Sequence, residues 1–273
     1  MSAQPQAAIS PSLEQEEPYV LRSDTDGVTT LTLNRPRSYN TLSEQMLEAL
    51  QSAVDDIARD ESVRVVVLAG EGKAFCAGHD LKQMRAKPDR AYYGQLFAQC
   101  SRFMLSLMQM PQPVIARIHG IAAAAGCQLA GTCDLAIATP DAKFATSGIN
   151  VGLFCSTPAV AVSRNMPRKP AFEMLMTGDF VDAETAKELG LINHVVPAEE
   201  LDEAIAALCA KITAKSRVAI ETGKRMFYTQ MNKGVEDAYT YAAEVMADNM
   251  MARDVGEGID AFIGKRHPVW EHR

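Results

Sequence analysis

"PVIARIHGIAAAAGCQLAGTCDLAIAT", residues 113–139, decides the fold. "VIARIHG" reads as a strand, the run of alanines as a small-residue turn into a short helix, and "DLAIAT" as a second strand. Strand, turn, helix and strand in this order form a unit of α/β architecture. The first long side chain on the helix is Gln128, where acid/base chemistry calls for a carboxylate. An amide can hold a water but cannot take its proton.

The same alternation extends outward. "YVLRSDTDGVTTLTLNRP" (19–36) is a hairpin whose two alternating strands flank Asp26-Gly27, a strong turn signal. Residues 41–60 predict a helix: Thr41 and Glu44 have capping-box spacing, and Met46, Leu50, Val54 and Ile57 share one face. "RVVVLAGEG" (64–72) is a buried strand and turn, and "FCAGHDLKQM" (75–84) leads from it towards a helix. A helix over 90–109 places Leu96, Cys100, Phe103 and Leu107 on one side, until Pro111 and Pro113 stop it. From about residue 158 short helices dominate, the last of them capped by Asp182 and stopped by Gly190. "INHVVP" (192–197) is a final strand, and 199–264 is nearly all helix. The pattern divides the chain into a tail at 1–17 expected to be disordered, a core at 18–198 and a helical region at 199–273.

Composition sets limits on function. A hydrophobic content of 47% provides a sizeable core, and a net charge of −7 argues against nucleic acid as the main partner. No apolar run reaches membrane-spanning length, so no membrane partner is expected. The six cysteines form no CxxC pair and show no metal-ligand spacing, which reads as reduced, intracellular and without a metal. "MSAQPQAAISPSLEQEE" (1–17) lacks the basic start and apolar centre of a secretion signal and the arginines of a mitochondrial transit segment. The expectation is a cytoplasmic protein.

Several blocks carry a family resemblance: "NRPRSYNTLSEQML" (34–47), "VVVLAGEGKAFCAGHDLKQM" (65–84), the 113–139 run, "AKFATSGINVGL" (142–153) and "ELGLINHVVP" (188–197). Together they resemble the enoyl-CoA hydratase/isomerase family, the crotonases, in order over residues 19–268. "GHDLK", "AAAAGCQL", "VGLFCSTP" and the ending "KRHPVW" resemble one subgroup in particular. The resemblance implies an α/β fold, a ClpP-like spiral of ββα units with a C-terminal helical trimerisation region. It also implies a homotrimer or a homohexamer built as a dimer of trimers. Its substrate would be an acyl-CoA of fatty acid metabolism, with coenzyme A arriving as part of the substrate and no separate cofactor.

The chemistry the family shares is a thioester enolate, whose oxygen needs two preorganised backbone N–H donors. By motif position these are the amides of His79 and Ala125. Both lie in small-residue turns, and the second opens a helix whose N-terminus favours negative charge. Small residues of this kind also serve simply for tight packing. The two hydratase glutamates match Gln128 and Gly148, and a third acidic position, used by dienoyl-CoA isomerases, matches Ser156. Losing one acid/base group costs about 10²–10⁴-fold. His79 is the best remaining titratable group, with channel lining as its alternative. Asp80 is a second candidate, or else the N-cap of the helix that follows. Cys127 and Cys155 read as buried thiols, and His119 and His194 as structural. Arg37 and Lys82 match basic positions near the CoA phosphates, and Ala77 and Asn150 join the substrate-binding set. Phe262 and Lys265 match positions that reach the CoA of a neighbouring subunit. Three functions remain open: an enoyl-CoA hydratase/isomerase, a decarboxylase of a malonyl-type CoA, whose loss of CO₂ generates the enolate without a base, and a non-catalytic acyl-CoA binder.

Overall fold

The computed structural model describes residues 17–273, so all of the expected tail except Glu17 lies outside the described residues. The hairpin forms as read. β1 (Val20–Thr25) pairs antiparallel with β2 (Val28–Leu33), and Asp26 and Gly27 both take positive φ, 49° and 78°. The first helix, α1 (Glu44–Ile57), starts two residues later than a capping box on Thr41 requires. Its cap is Ser43, whose Oγ accepts from the Met46 amide at 3.2 Å, rather than Thr41. Met46, Leu50, Val54 and Ile57 face the core as the periodicity requires.

Three strand pairs then follow: β3 (Val65–Gly70) with β4 (Ala74–Cys76), β5 (Val114–Ile118) with β6 (Ile121–Ala123), and β7 (Leu135–Ala138) with β8 (Lys143–Ala145). Short β9 (Val181–Asp182) and β10 (His194–Val195) complete the strands. The first member of each pair enters a six-stranded sheet of order β1-β2-β3-β5-β7-β10, and the second enters a four-stranded sheet of order β4-β6-β8-β9. All neighbours from β2 to β10 in the large sheet are parallel. Each pass of the chain therefore adds one strand to each sheet before a helix returns it, which is the ββα spiral.

The returning helices are α2 (Leu81–Ala86) and α3 (Arg90–Gln109) after the first pair, and α4 (Ala125–Thr132) after the second. After the third pair come α5 (Ser156–Asn165), α6 (Arg168–Thr177) and α7 (Ala183–Glu188). Asp182 caps α7 by accepting from the Thr185 amide at 2.8 Å. β3 is buried along its whole length because both of its faces are covered. Val66 and Leu68 join the main core with α1, α3 and the small sheet. Val65 and Val67 instead pack with Leu201, Ile205 and Cys209 of α8 (Leu201–Thr213) on the opposite face.

The last helices are α9 (Arg217–Gln230), α10 (Val235–Met250) and α11 (Arg253–Ile263). α10 packs against α9 and α11 and buries none of its own residues. The buried residue of α9 is Lys224. Its Nζ donates to the carbonyls of Leu107 and Gln112 and to Asp134 Oδ2, at 2.7, 2.8 and 2.7 Å. Asp134 also accepts from the Val114 amide and the Tyr228 hydroxyl. This network ties the projecting helices to the end of α3 and the starts of β5 and β7. Among the described residues no helix is long and apolar enough to cross a membrane.

Candidate active site

The candidate site is built from two turns that touch. Ala77–Gly78–His79 leaves β4, and Ala124–Ala125 joins β6 to α4. Gly78 has φ 95°, and a Cβ placed on it would lie 2.9 Å from Ala124 Cβ and 3.1 Å from the Ala125 nitrogen. Only glycine lets the two backbones approach this closely. Ala124 takes φ 50° and ψ −116°, a conformation rare for a residue with a side chain, and makes no side-chain cap for α4. The first amides of α4 are therefore left without a cap at the positive end of the helix. Among the described residues, neither the His79 nor the Ala125 amide donates to a main-chain carbonyl.

Both turns line a cavity of about 670 Å³, a volume ordinary for a small-molecule site. Arg37, Ala77, Asp80, Lys82 and Gly148 line it too, as do Tyr39, Met84, Phe97, Leu153 and Phe154. A larger cavity of about 930 Å³ lies between the large sheet and α8, lined by Thr30, Thr32, Arg117 and His119 among others. Neither turn lines that cavity, and the chemistry implied by the motifs belongs with the smaller one.

The remaining sequence candidates distribute unevenly. The Asp80 carboxylate is engaged as the α2 cap, with Oδ1 accepting from the Lys82 and Gln83 amides at 2.8 and 3.1 Å. Gln128 is buried on α4, with its Oε1 unpartnered, and is not among the cavity-lining residues. Asn150 turns away to the Gly178 carbonyl at 3.4 Å. Phe262 and Lys265 lie at the exposed end of α11, away from the cavity of their own chain, with Phe262 86% exposed. His119 donates from Nε2 to the Gly72 carbonyl at 2.8 Å, and His194 is exposed on β10. Ser156 lines the cavity at the start of α5.

Gly148 is closed off. A Cβ there would lie 2.6 Å from the Leu153 carbonyl oxygen and 2.7 Å from Cys155 Sγ, and the Gly148 amide donates to that sulfur at 3.3 Å. Burial pushes the Cys127 thiol up to about 12 and also raises Cys155, so both stay protonated at neutral pH. Among the described residues no group of three or more His, Cys, Asp or Glu side chains is placed to hold a metal ion.

His79 lines the cavity beside Arg37, Tyr39, Asp80, Lys82 and Cys155. Its Nδ1 lies 3.2 Å from the Leu42 carbonyl oxygen, and Phe97 meets its ring edge-on at 5.4 Å. Burial lowers its pKa, and the Leu42 bond offsets this in part. Phe97 and the apolar segment Val151–Phe154 escaped the sequence reading. Their signal was faint: three large apolar residues in a four-residue stretch, and a Phe just off the buried stripe of α3.

Residues 23–273 match the family model described as enoyl-CoA hydratase/isomerase. A rat protein named "Enoyl-CoA hydratase domain-containing protein 3, mitochondrial" is 44% identical over 247 residues, 90% of this chain and 82% of the relative. The subgroup resemblance is to proteins of this name. A crystal structure of an enoyl-CoA hydratase from Mycobacterium smegmatis superposes with a TM-score of 0.92 at 59% identity, covering 93% of this chain and 99% of that one. The human enoyl-CoA hydratase domain-containing protein 3 structure gives a TM-score of 0.90 at 42% identity, covering 92% and 100%. The cytoplasmic expectation is overturned by these relatives, since the rat, mouse and human proteins are all named mitochondrial. Compartment is set by a short address segment that the packing of the domain does not constrain, so composition was a poor guide to it.

Proposed function

We propose that this chain, which belongs to the enoyl-CoA hydratase/isomerase family, binds an acyl-CoA thioester in the 670 Å³ cavity and stabilises its enolate. The observation that carries this reading is the contact between the two turns. Gly78 against Ala124 brings two amides without main-chain partners to one wall of the cavity. In a site sheltered from water such donors stabilise developing charge on a thioester oxygen far better than water does. Arg37 and Lys82, at the same cavity, suit the CoA phosphates. No cofactor beyond the substrate's own CoA is called for by this chemistry.

Ordinary hydratase activity is not part of the reading. Gln128 cannot transfer a proton, the Gly148 position has no room for a side chain, and Asp80 is committed to its cap. We assign residues 199–273 to contacts with further copies of the chain, in a trimer or a hexamer. The apolar side chains left uncovered on the last helices, Phe227, Val235, Tyr239, Met246 and Phe262, support this assignment. In such an assembly Phe262 and Lys265 would face a neighbour's CoA.

The test is titration calorimetry with crotonyl-CoA beside a hydration assay. Binding is expected, weakened about 10- to 100-fold in Arg37→Glu/Lys82→Glu, with hydration well below the roughly 1–10³ s⁻¹ of ordinary enzymes. Absence of binding would sink the acyl-CoA reading. Release of CO₂ from a malonyl-type CoA would turn the reaction class towards decarboxylation.

A further inference from the structure

We propose that the segment Arg266–Arg273 is a clasp that sets how α11 meets a further copy of the chain, with Asp254 and Glu257 as its positioning residues. The proposal rests on the assignment of residues 199–273 to contacts between copies and adds to it the element that aims one of the contacting helices.

The segment begins with a reversal. The Lys265 amide donates to the Phe262 carbonyl at 3.2 Å and the Arg266 amide to the Ala261 carbonyl at 3.0 Å, with Lys265 at φ 52°. This pairing ends a helix on a left-handed residue, where glycine is usual. A lysine keeps that conformation when the contacts around it over-determine the backbone. The chain then runs back along α11. Arg266 donates to both oxygens of Glu257, at 2.6 and 2.8 Å, and the Val269 amide donates to Glu257 Oε1 at 2.7 Å. One turn further back, Asp254 Oδ1 accepts from the Glu271 amide at 2.8 Å and the His272 amide at 3.1 Å. The Asp254 amide donates to the Arg273 carbonyl at 3.2 Å. Asp254, Glu257 and Gly258 share one face of the helix, and the Trp270 ring lies 3.3 Å from where a Cβ on Gly258 would stand.

The other side of the segment is fixed to the body of the chain. Trp270 Nε1 donates to the Ala214 carbonyl at 2.9 Å, in the link between α8 and α9. Arg217 donates from its guanidinium to the His272 carbonyl and from its amide to His272 Nδ1, both at 3.2 Å. Arg64, just before β3, lies 3.3 Å from His272 Nε2. The segment is therefore a layer between α11 and the core.

The helix it holds is turned inside out. The buried residues of α11 are Asp254 and Ala261, while Ile259, Phe262 and Ile263 are exposed. A helix that packs on its own core does the reverse. These side chains extend the uncovered apolar set on α9 and α10, since α10 packs against both α9 and α11. A second copy brings the same three helices and so a matching apolar surface. The carboxylates of Asp254 and Glu257 fix the polar side of α11, and this fixes where its apolar side points.

Trp270 is the single tryptophan of the chain, so its fluorescence reports the clasp. The full chain, Asp254→Asn and Glu257→Gln are compared by iodide quenching, sedimentation velocity and hydrogen exchange at β3. Quenching is read below the wild type's own dissociation concentration, so that only contacts within one chain shield the ring. The wild type is expected to sediment as a multimer and to shield Trp270. Each variant should open Trp270 to iodide and raise the concentration needed for assembly about 10- to 100-fold, the effect of losing hydrogen bonds to a charged group. β3 should keep its wild-type protection, since the core is intact. Glu257 is partly exposed, so Glu257→Gln gives the answer even where Asp254→Asn costs the fold. A Trp270 that stays shielded in Glu257→Gln overturns the proposal whatever the assembly does, and so does a freed Trp270 with wild-type assembly. A wild type that sediments as a monomer overturns the assignment of 199–273 to contacts between copies.

Discussion

The Leu153 carbonyl oxygen occupies the place from which a side chain at Gly148 would project, 2.6 Å from where its Cβ would lie. A glutamate at this position, where the family resemblance would place one, has no room, because the chain has folded into its space. Gly148→Glu must displace backbone as well as the Cys155 thiol. It is expected to cost about 1–3 kcal/mol or more as an overpacked site. Gln128→Glu/Gly148→Glu is accordingly expected to gain no crotonyl-CoA hydration. Thermal melting and the hydration assay check both statements, and a double variant with wild-type melting would show that the loop yields readily.

Ala124 holds a conformation that glycine adopts without penalty. Its φ of 50° and ψ of −116° store strain of the order of 1–3 kcal/mol, against an entropic cost of about 0.5–1 kcal/mol for introducing glycine. Ala124→Gly is expected to raise stability by about 1 kcal/mol. The methyl group that faces Gly78 is also lost, so the same variant reports whether rigidity at this turn matters for acyl-CoA affinity. Urea unfolding and calorimetry separate the two effects.

These two positions mark the limits of what the sequence disclosed. Asp26-Gly27, the buried stripe of α3 and the Asp182 cap were legible because each is a local rule acting over a few residues. The two small-residue turns were legible by motif, and the structure sets Gly78 of one against Ala124 of the other. Closure over Gly148 was not, because nothing in "GINVGLFC" states that the chain reverses onto its own glycine. Ser43 and not Thr41 caps α1, and the capping-box spacing could not single it out, because Met46 stands three residues after Ser43 where the pattern asks for Glu or Gln. The orientation of His79 depends on Leu42, distant in sequence, and on Phe97, which looked like one more helix residue.

Lys224 and Asp134 lie 90 residues apart in sequence and form a buried ion pair at 2.7 Å. Burial lowers the Lys224 pKa and Asp134 works against that shift. Removing Lys224 takes away one side of a largely buried pair and the donor to the Leu107 and Gln112 carbonyls, at a cost of about 3–5 kcal/mol. Lys224→Met is expected to lose that much in urea unfolding. It should also expose the link between α8 and α9 to trypsin, since Lys224 is the buried residue of α9. Unfolding without earlier local cleavage would mean that the last helices are held by other contacts.

His79 links proton binding to folding. Its folded pKa is depressed below 6.5, chiefly by burial. As pH falls, the unfolded chain takes up this proton first. The associated stability is therefore present in full above pH 6.5 and is lost as pH drops through the folded pKa. His79→Asn removes this contribution. His272, also lowered, titrates in the same window but is common to both proteins and cancels in their difference. Asp24, Asp182 and Asp254, all lowered from 3.8, act only in stronger acid and cancel likewise. Urea midpoints measured from about pH 8 to 5 should fall more steeply in the wild type than in the variant. Parallel curves would mean that the imidazole is protonated as readily in the folded protein as in the unfolded chain, and that its burial does not disfavour the charged ring.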